Sequence, residues 1–161
     1  MTAPADLPGL GTRAARPADA QSVADVFLAS RRVHVAFAPL AHSEPEVRDW
    51  IAHTLLPAGR TRVAEHAGVI LGFAATSLEP GFAWLDHLYL APDRIGQGWG
   101  TALLHAALAD LPSPTPTVRL YCFQANRLAC RFYERHGFVE VARSDGRDNE
   151  ERCPDVLYER R

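Results

Sequence analysis

The sequence predicts an α/β domain with one mixed sheet and helices on both faces. Three observations point there. Segments with the two-residue period of strands alternate with segments of helical period. The apolar and aromatic stretch 82–90 precedes a helical stretch at 101–111 and a strand-like stretch at 118–123, which makes a right-handed βαβ crossover with two parallel strands. Between the first strand and the helix lie three glycines at alternate positions, Gly96, Gly98 and Gly100.

The elements follow in order. Residues 1–11 contain Pro4, Pro8, Gly9 and Gly11 and read as a flexible tail ahead of a single domain over 12–161. A short strand at 12–16 is stopped by Pro17. Asp19 suits an N-cap, and Val23, Val26 and Phe27 follow at helical spacing. Ser43 with Glu46 is a capping-box pair, and Val47, Trp50, Ile51 and Leu55 form the stripe of a second helix, ended by Pro57 and Gly59. Two strands at 61–65 and 69–76 flank a turn at Ala67 and Gly68. After the crossover comes a helix over 126–136, which Gly137 should stop in the left-handed conformation. Strands at 138–143 and 156–158 close the chain. The order is βααβββαβαββ.

Composition sets limits. The 161 residues are 47% hydrophobic and 22% charged, the balance of one globular domain. The net charge is −2, and the positive charge is arginine spread along the chain. No basic field is present to hold nucleic acid or a membrane surface, so neither is expected as a partner. The three cysteines, Cys122, Cys130 and Cys153, form no CxxC, so reduced thiols and no metal site are expected. The start of the chain lacks the pattern of a signal peptide, and the expected location is cytoplasmic.

The glycine turn carries the most chemistry. The first turn of a helix has backbone N–H groups without intrahelical partners. Missing side chains let an anion reach them, and the helix dipole favours negative charge there. A phosphate or pyrophosphate cradle follows. No lysine follows the glycines, which excludes a P-loop, and the turn sits too late in the chain for a dinucleotide fingerprint.

The run from Leu88 to Thr101 resembles the acyl-CoA-binding motif of the GNAT acetyltransferase superfamily, R/Q-x-x-G-x-G/A, after the fourth strand. Gly98 and Gly100 match its fixed positions, while Ile95 stands at the first, with Arg94 one residue earlier. A second block from Asn126 to Phe138 is similar to the family's N-x-x-A-x-x-F/L-Y-x-x-x-G-F pattern. The resemblance implies a GNAT-like three-layer fold: a mostly antiparallel sheet with a splayed parallel strand pair. It implies acetyl-CoA as cosubstrate and transfer of acetyl to a primary amine, in a small molecule or peptide, by direct attack in a ternary complex. A homodimer is compatible with it.

The resemblance also distributes roles. Leu88, Tyr89 and Leu90 would run along the pantetheine arm, with a main-chain N–H there polarising the acetyl carbonyl. Ile95, Gly96, Gln97, Gly98, Trp99, Gly100 and Thr101 would hold the pyrophosphate, with Asn126 and Ala129 across the cleft. Tyr133 shares a helical face with Asn126, Ala129 and Cys130 and is the expected general acid, while Leu128 and Phe132 face the core. Asp86, at a position often acidic in similar sequences, and His87, with its suitable ordinary pKa, are the candidate bases. Strand alternation lets only one of them face the substrate. Phe37, His42, Trp84 and Tyr121 are candidates for the acceptor pocket. The acidic tract 145–155 would attract a cationic amine. Arg127 and Arg131 could reach the coenzyme's phosphates. A covalent route through Cys122 or Cys130 is the rival mechanism, and a non-catalytic acyl-CoA-binding module the rival function.

Overall fold

The computed structural model describes residues 11–161. Its elements are β1 (Gly11–Ala14), α1 (Ala20–His34), α2 (Glu44–Trp50), β2 (Thr61–His66), β3 (Val69–Glu79), β4 (Phe82–Leu90), α3 (Trp99–Ala109), β5 (Thr117–Phe123), α4 (Arg127–Arg135), β6 (Val139–Ser144) and β7 (Asp155–Arg160). The expected order of strands and helices holds. The strands make one seven-stranded sheet in the order β1-β2-β3-β4-β5-β7-β6. Every neighbouring pair is antiparallel except β4 and β5, which are parallel.

Strand alternation sorts the core into two layers. Val63 and Phe73 point toward α1 and α2, where Val23, Phe27, Val47 and Ile51 bury them. Their chain neighbours Ala64 and Ala74 point the other way, to Leu103, Leu104 and Ala107 of α3. Small residues dominate this second face, which lets α3 lie close to the sheet. Gly72 has no room for a Cβ, which would stand 2.6 Å from a Leu90 methyl and 2.8 Å from the Tyr89 carbonyl oxygen. The arrangement is the three-layer, mixed α/β sheet that the sequence predicts.

Local signals hold where the chemistry is local. Ser43 Oγ accepts from the Glu46 N–H, and the Glu46 carboxylate accepts from the Ser43 N–H at 2.6 Å. Gly137 has φ 86° at the end of α4. Four expectations are corrected. Gly11, read as part of the tail, pairs with Glu65 as the start of β1; the rest of that tail lies outside the described residues. Asp19 stands at the N-cap of α1 but makes no cap bond. Its carboxylate instead takes both Nη groups of Arg13, at 2.8 and 3.0 Å, and the Arg16 N–H at 2.7 Å, because a guanidinium binds a carboxylate more strongly than a neutral amide does. The helix α3 begins at Trp99, two residues ahead of the expected start, since Gly98 takes the cap position at φ 90°. Leu128, placed in the core by helical spacing, is 51% exposed, because α4 leans on β5 through only a few residues and leaves that side to solvent.

Candidate functional site

The sheet opens at its parallel pair. Ladder pairing of β4 with β5 covers only Phe82–Trp84 against Thr117–Arg119. Beyond Trp84 the two strands have no ladder between them, and main-chain groups of β4 face the gap. Two cavities fill it. The first, about 590 Å³, runs from the glycine turn (Gly96, Gly98, Gly100, Thr101) past Leu88, Tyr89 and Leu90 to Asn126, Ala129 and Tyr133. The second, about 530 Å³, is lined on its far side by Asp86, His87, Tyr121 and Cys122, and by Asp148, Glu151 and Asp155 of the polar loop. Leu88, Tyr89, Asn126, Ala129 and Tyr133 belong to both walls and mark the junction.

The glycine turn has the form a diphosphate needs. Gly96 and Gly98 have φ of 81° and 90°, a region where a side chain is strained. The first intrahelical bond of α3 runs from the Ala102 N–H to the Gly98 carbonyl at 3.1 Å. The N–H groups of Trp99, Gly100 and Thr101 therefore precede the ladder and have no intrahelical acceptor. A Cβ on Gly100 would meet Phe132 at 3.4 Å and Leu90 at 3.6 Å, ordinary contact. Packing within the protein does not demand glycine there, whereas a ligand lying in the cavity would use the bare position. Ile95 also lines this cavity; Gln97 and Trp99 do not. The Trp99 indole donates to the Gln97 side chain at 3.1 Å, so these two residues brace the turn from behind.

The two sequence blocks meet directly. His136 Nδ1 lies 2.8 Å from the Phe132 carbonyl, and its Nε2 lies 3.1 Å from the Thr101 hydroxyl. A carbonyl can only accept, so Nδ1 carries the proton, and in the neutral ring Nε2 accepts from Thr101. The Asn126 side chain caps α4 by accepting from the Ala129 N–H at 3.2 Å, while Asn126 also faces both cavities. Arg127 lines the first cavity, and Arg131 lies on a separate groove between α4 and β7.

Tyr133 is buried and stands where the cavities join. Burial raises its phenol pKa, and the nearby Cys122, Tyr89 and Cys130 add to the shift. It is protonated at neutral pH and can donate but not abstract a proton. Both Asp86 and His87 line the second cavity, against the expectation that only one could face it. The reason is a bulge: Ala75 pairs with His87 and Thr76 with Leu85, so Asp86 is the extra residue. His87 sits among rings, with centroids 5.2 Å from Trp50 and 6.2 Å from Phe27 and Tyr89. Burial, aided by the Arg31 charge, pulls its pKa down to about 4. Asp86 keeps part of its side chain in solvent. Desolvation of the rest raises its pKa, a Ser77 hydrogen bond opposes this, and Glu79 adds to the rise. His87 is therefore neutral at neutral pH, and Asp86 is the more exposed of the pair.

Of Phe37, His42, Trp84 and Tyr121, expected in an acceptor pocket, Tyr121 alone lines the second cavity, which Asp148, Glu151 and Asp155 of the acidic tract line as well. Trp84 stacks behind Tyr121 at 5.4 Å, Phe37 packs edge-on against Phe123 at 5.8 Å, and His42 bonds Glu150 at 2.7 Å near the surface. Arg31, which the sequence did not single out, is a buried wall of this cavity. Its place in a run of α1 residues gave no signal, because burial of one arginine depends on the loop that folds over it. The Cys122 and Cys130 sulfurs lie 3.6 Å apart. Burial, and then Cys130, push the Cys122 thiol far up, the opposite of what a nucleophilic thiolate needs.

The sheet is splayed at one parallel pair, and a glycine-capped helix stands at the mouth of the gap. The model of the acetyltransferase (GNAT) family matches residues 27–138, and the chain belongs to that family. It is 34% identical over 110 residues to mycothiol acetyltransferase of Acidimicrobium ferrooxidans, covering 59% of this chain and 35% of that protein. The chain thus spans about a third of the length of that relative. Its fold is similar to Ard1 from Thermoplasma volcanium (TM-score 0.75, 22% identity, 94% of this chain and 97% of that one). It is also similar to the PaiA N-acetyltransferase from Thermoplasma acidophilum, solved in complex with coenzyme A (TM-score 0.72, 20% identity, 94% and 98%).

Proposed function

We propose that this protein is an acetyl-CoA-dependent N-acetyltransferase that passes acetyl to a primary amine by direct attack in a ternary complex. One observation carries the reading: an anion cradle of unpaired amides opens into a cavity that meets a second, carboxylate-lined cavity at the phenol of Tyr133.

Acetyl-CoA supplies an acyl group already activated as a thioester. The N–H groups of Trp99, Gly100 and Thr101 hold its diphosphate at the helix N-terminus. The unpaired edge of β4 at Leu88–Leu90 receives the extended arm and points a main-chain N–H at the acetyl oxygen, where charge builds up during attack. The amine nitrogen forms a bond to the acetyl carbon as the carbon–sulfur bond breaks. Asp86, directly or through water, accepts the proton that the amine loses. Tyr133, held protonated by burial, gives its proton to the departing sulfur. The two cavities bring both reactants to one junction, which converts a bimolecular encounter into a positioned one.

Two measurements test this. Calorimetry with acetyl-CoA should register binding, and free-thiol detection across a panel of primary amines should find coenzyme release that depends on the amine. Binding without amine-dependent thiol would leave a coenzyme-binding module; no binding would remove the reading altogether.

A further inference from the structure

The reaction just described leaves the buried guanidinium of Arg31 without a task. Its side chain is 5% exposed. It forms part of the acceptor-side wall beside Glu151 and Phe123, and its centre lies 5.7 Å from the Phe123 ring. Nη2 donates to the Ala38 carbonyl at 2.9 Å and reaches Glu151 only at 3.4 Å. The Tyr89 side chain also bonds to it. Nε is buried with no hydrogen-bond partner among the described residues.

A buried cation persists where negative partners and hydrogen bonds offset its lost hydration. One carboxylate beyond ordinary hydrogen-bond length is a weak offset. Bracing the Ala38 carbonyl needs a single N–H and no charge. A planar carboxylate entering from the cavity would complete the partner set in the paired geometry that arginine favours. The rest of the cavity has the opposite sign: Asp86 and Asp148 line it without a cationic partner of their own there. Asp155 is already bonded by Ser144 Oγ at 2.6 Å and Asn149 Nδ2 at 3.1 Å. The cavity therefore matches a molecule that bears one carboxylate and one ammonium. Val35, one helical turn after Arg31, belongs to both cavities. That places the carboxylate site close to the junction where Tyr133 stands.

We infer that the acceptor is an α-amino acid whose carboxylate is held by Arg31 while its amine faces the junction. The inference rests on the proposed acetyl transfer for its reaction, and on the cavity alone for binding.

The test uses matched pairs: α-amino acids and their α-carboxamides, titrated by calorimetry into the full chain saturated with coenzyme A. The amides keep the amine and lose only the negative charge. At least one acid should bind about 10- to 100-fold more tightly than its amide. Arg31→Met, an apolar replacement of similar length, should abolish that ratio while coenzyme A binds as before. Should Arg31→Met not fold, the acid-to-amide ratio of the unaltered protein still decides. Equal binding of the pairs, or binding by neither, overturns the inference. A parallel free-thiol assay separates the two levels. Thiol released from amides as readily as from acids sinks the carboxylate site and leaves acetyl transfer standing. Preferential binding of acids without thiol release does the reverse.

Discussion

The Thr101 hydroxyl donates to His136 Nε2 at 3.1 Å, and the same imidazole is anchored through Nδ1 to the Phe132 carbonyl at 2.8 Å. This pair ties the first turn of α3, where the unpaired amides lie, to the end of α4, which carries Tyr133. The two halves of the cleft are thereby set at one distance. His136→Ala should loosen that setting. We expect coenzyme A affinity to fall about 10-fold, with the fold retained in circular dichroism, because the hydrogen bond that joins the two helices, of typical net worth, is lost.

The glycine turn gives a controlled comparison. Gly98 and Gly81 have nearly the same φ, 90° and 89°, so an alanine at either costs about 1 kcal/mol of backbone strain. Only Gly98 lies on the cavity. Both variants should melt lower by a similar amount, and Gly98→Ala alone should lose coenzyme A affinity by calorimetry. Equal affinities for the two variants would remove the cradle.

Tyr133→Phe separates chemistry from packing. The ring remains among Phe132, Phe138 and Tyr158, so stability should change by less than about 1 kcal/mol. If the phenol is the proton donor, turnover falls by about 10²- to 10⁴-fold while coenzyme affinity stays. Unchanged turnover would remove the acid role.

Two groups contribute to the response of stability to acid in successive windows. His87 has a folded pKa lowered to about 4 from an ordinary 6.5. Between those values the unfolded chain binds the proton and the folded chain does not, so stability falls as pH drops through that range. The loss is bounded by about 3 kcal/mol. Asp19 is also shifted down, chiefly by its Arg13 hydrogen bonds. Its contribution is present above the ordinary carboxylate pKa and disappears as pH falls through its lowered folded value. Urea titrations from pH 7 to pH 3 should find that His87→Phe flattens the upper part of the decline. Asp19→Asn should lower stability at pH 7 by about 2 kcal/mol, with the gap to the unaltered protein closing at the acid end. A gap independent of pH would show that the Arg13 pair carries no linkage.

The candidate site was legible where its chemistry lies in a continuous run. Three alternate glycines between a strand and a helix specify free amides whatever the rest of the chain does, and the Ser43 and Asn126 caps are equally local. The start of α3 was misplaced by two residues for the same local reason: left-handed Gly98 ends the turn before the first apolar position of the helix. Nothing in the strand itself announced the bulge at Asp86, since a bulge is a relation between β4 and the register of β3. Periodicity therefore gave the wrong answer for Asp86 and His87, which both reach the cavity.

By itself the sequence determined the class of fold, the order of its elements, the free amides of the glycine turn and the helical face that presents Tyr133. Each depends on backbone conformations and spacings confined to a few neighbouring residues. The tertiary structure alone decided which ionisable groups sit in the cleft and in which charge state. It bent Asp19 toward Arg13, closed His87 among aromatic rings, left Leu128 in solvent and buried Arg31 beside Glu151. Desolvation and ion pairing act between groups far apart in the chain, so they exist only once distant elements have packed.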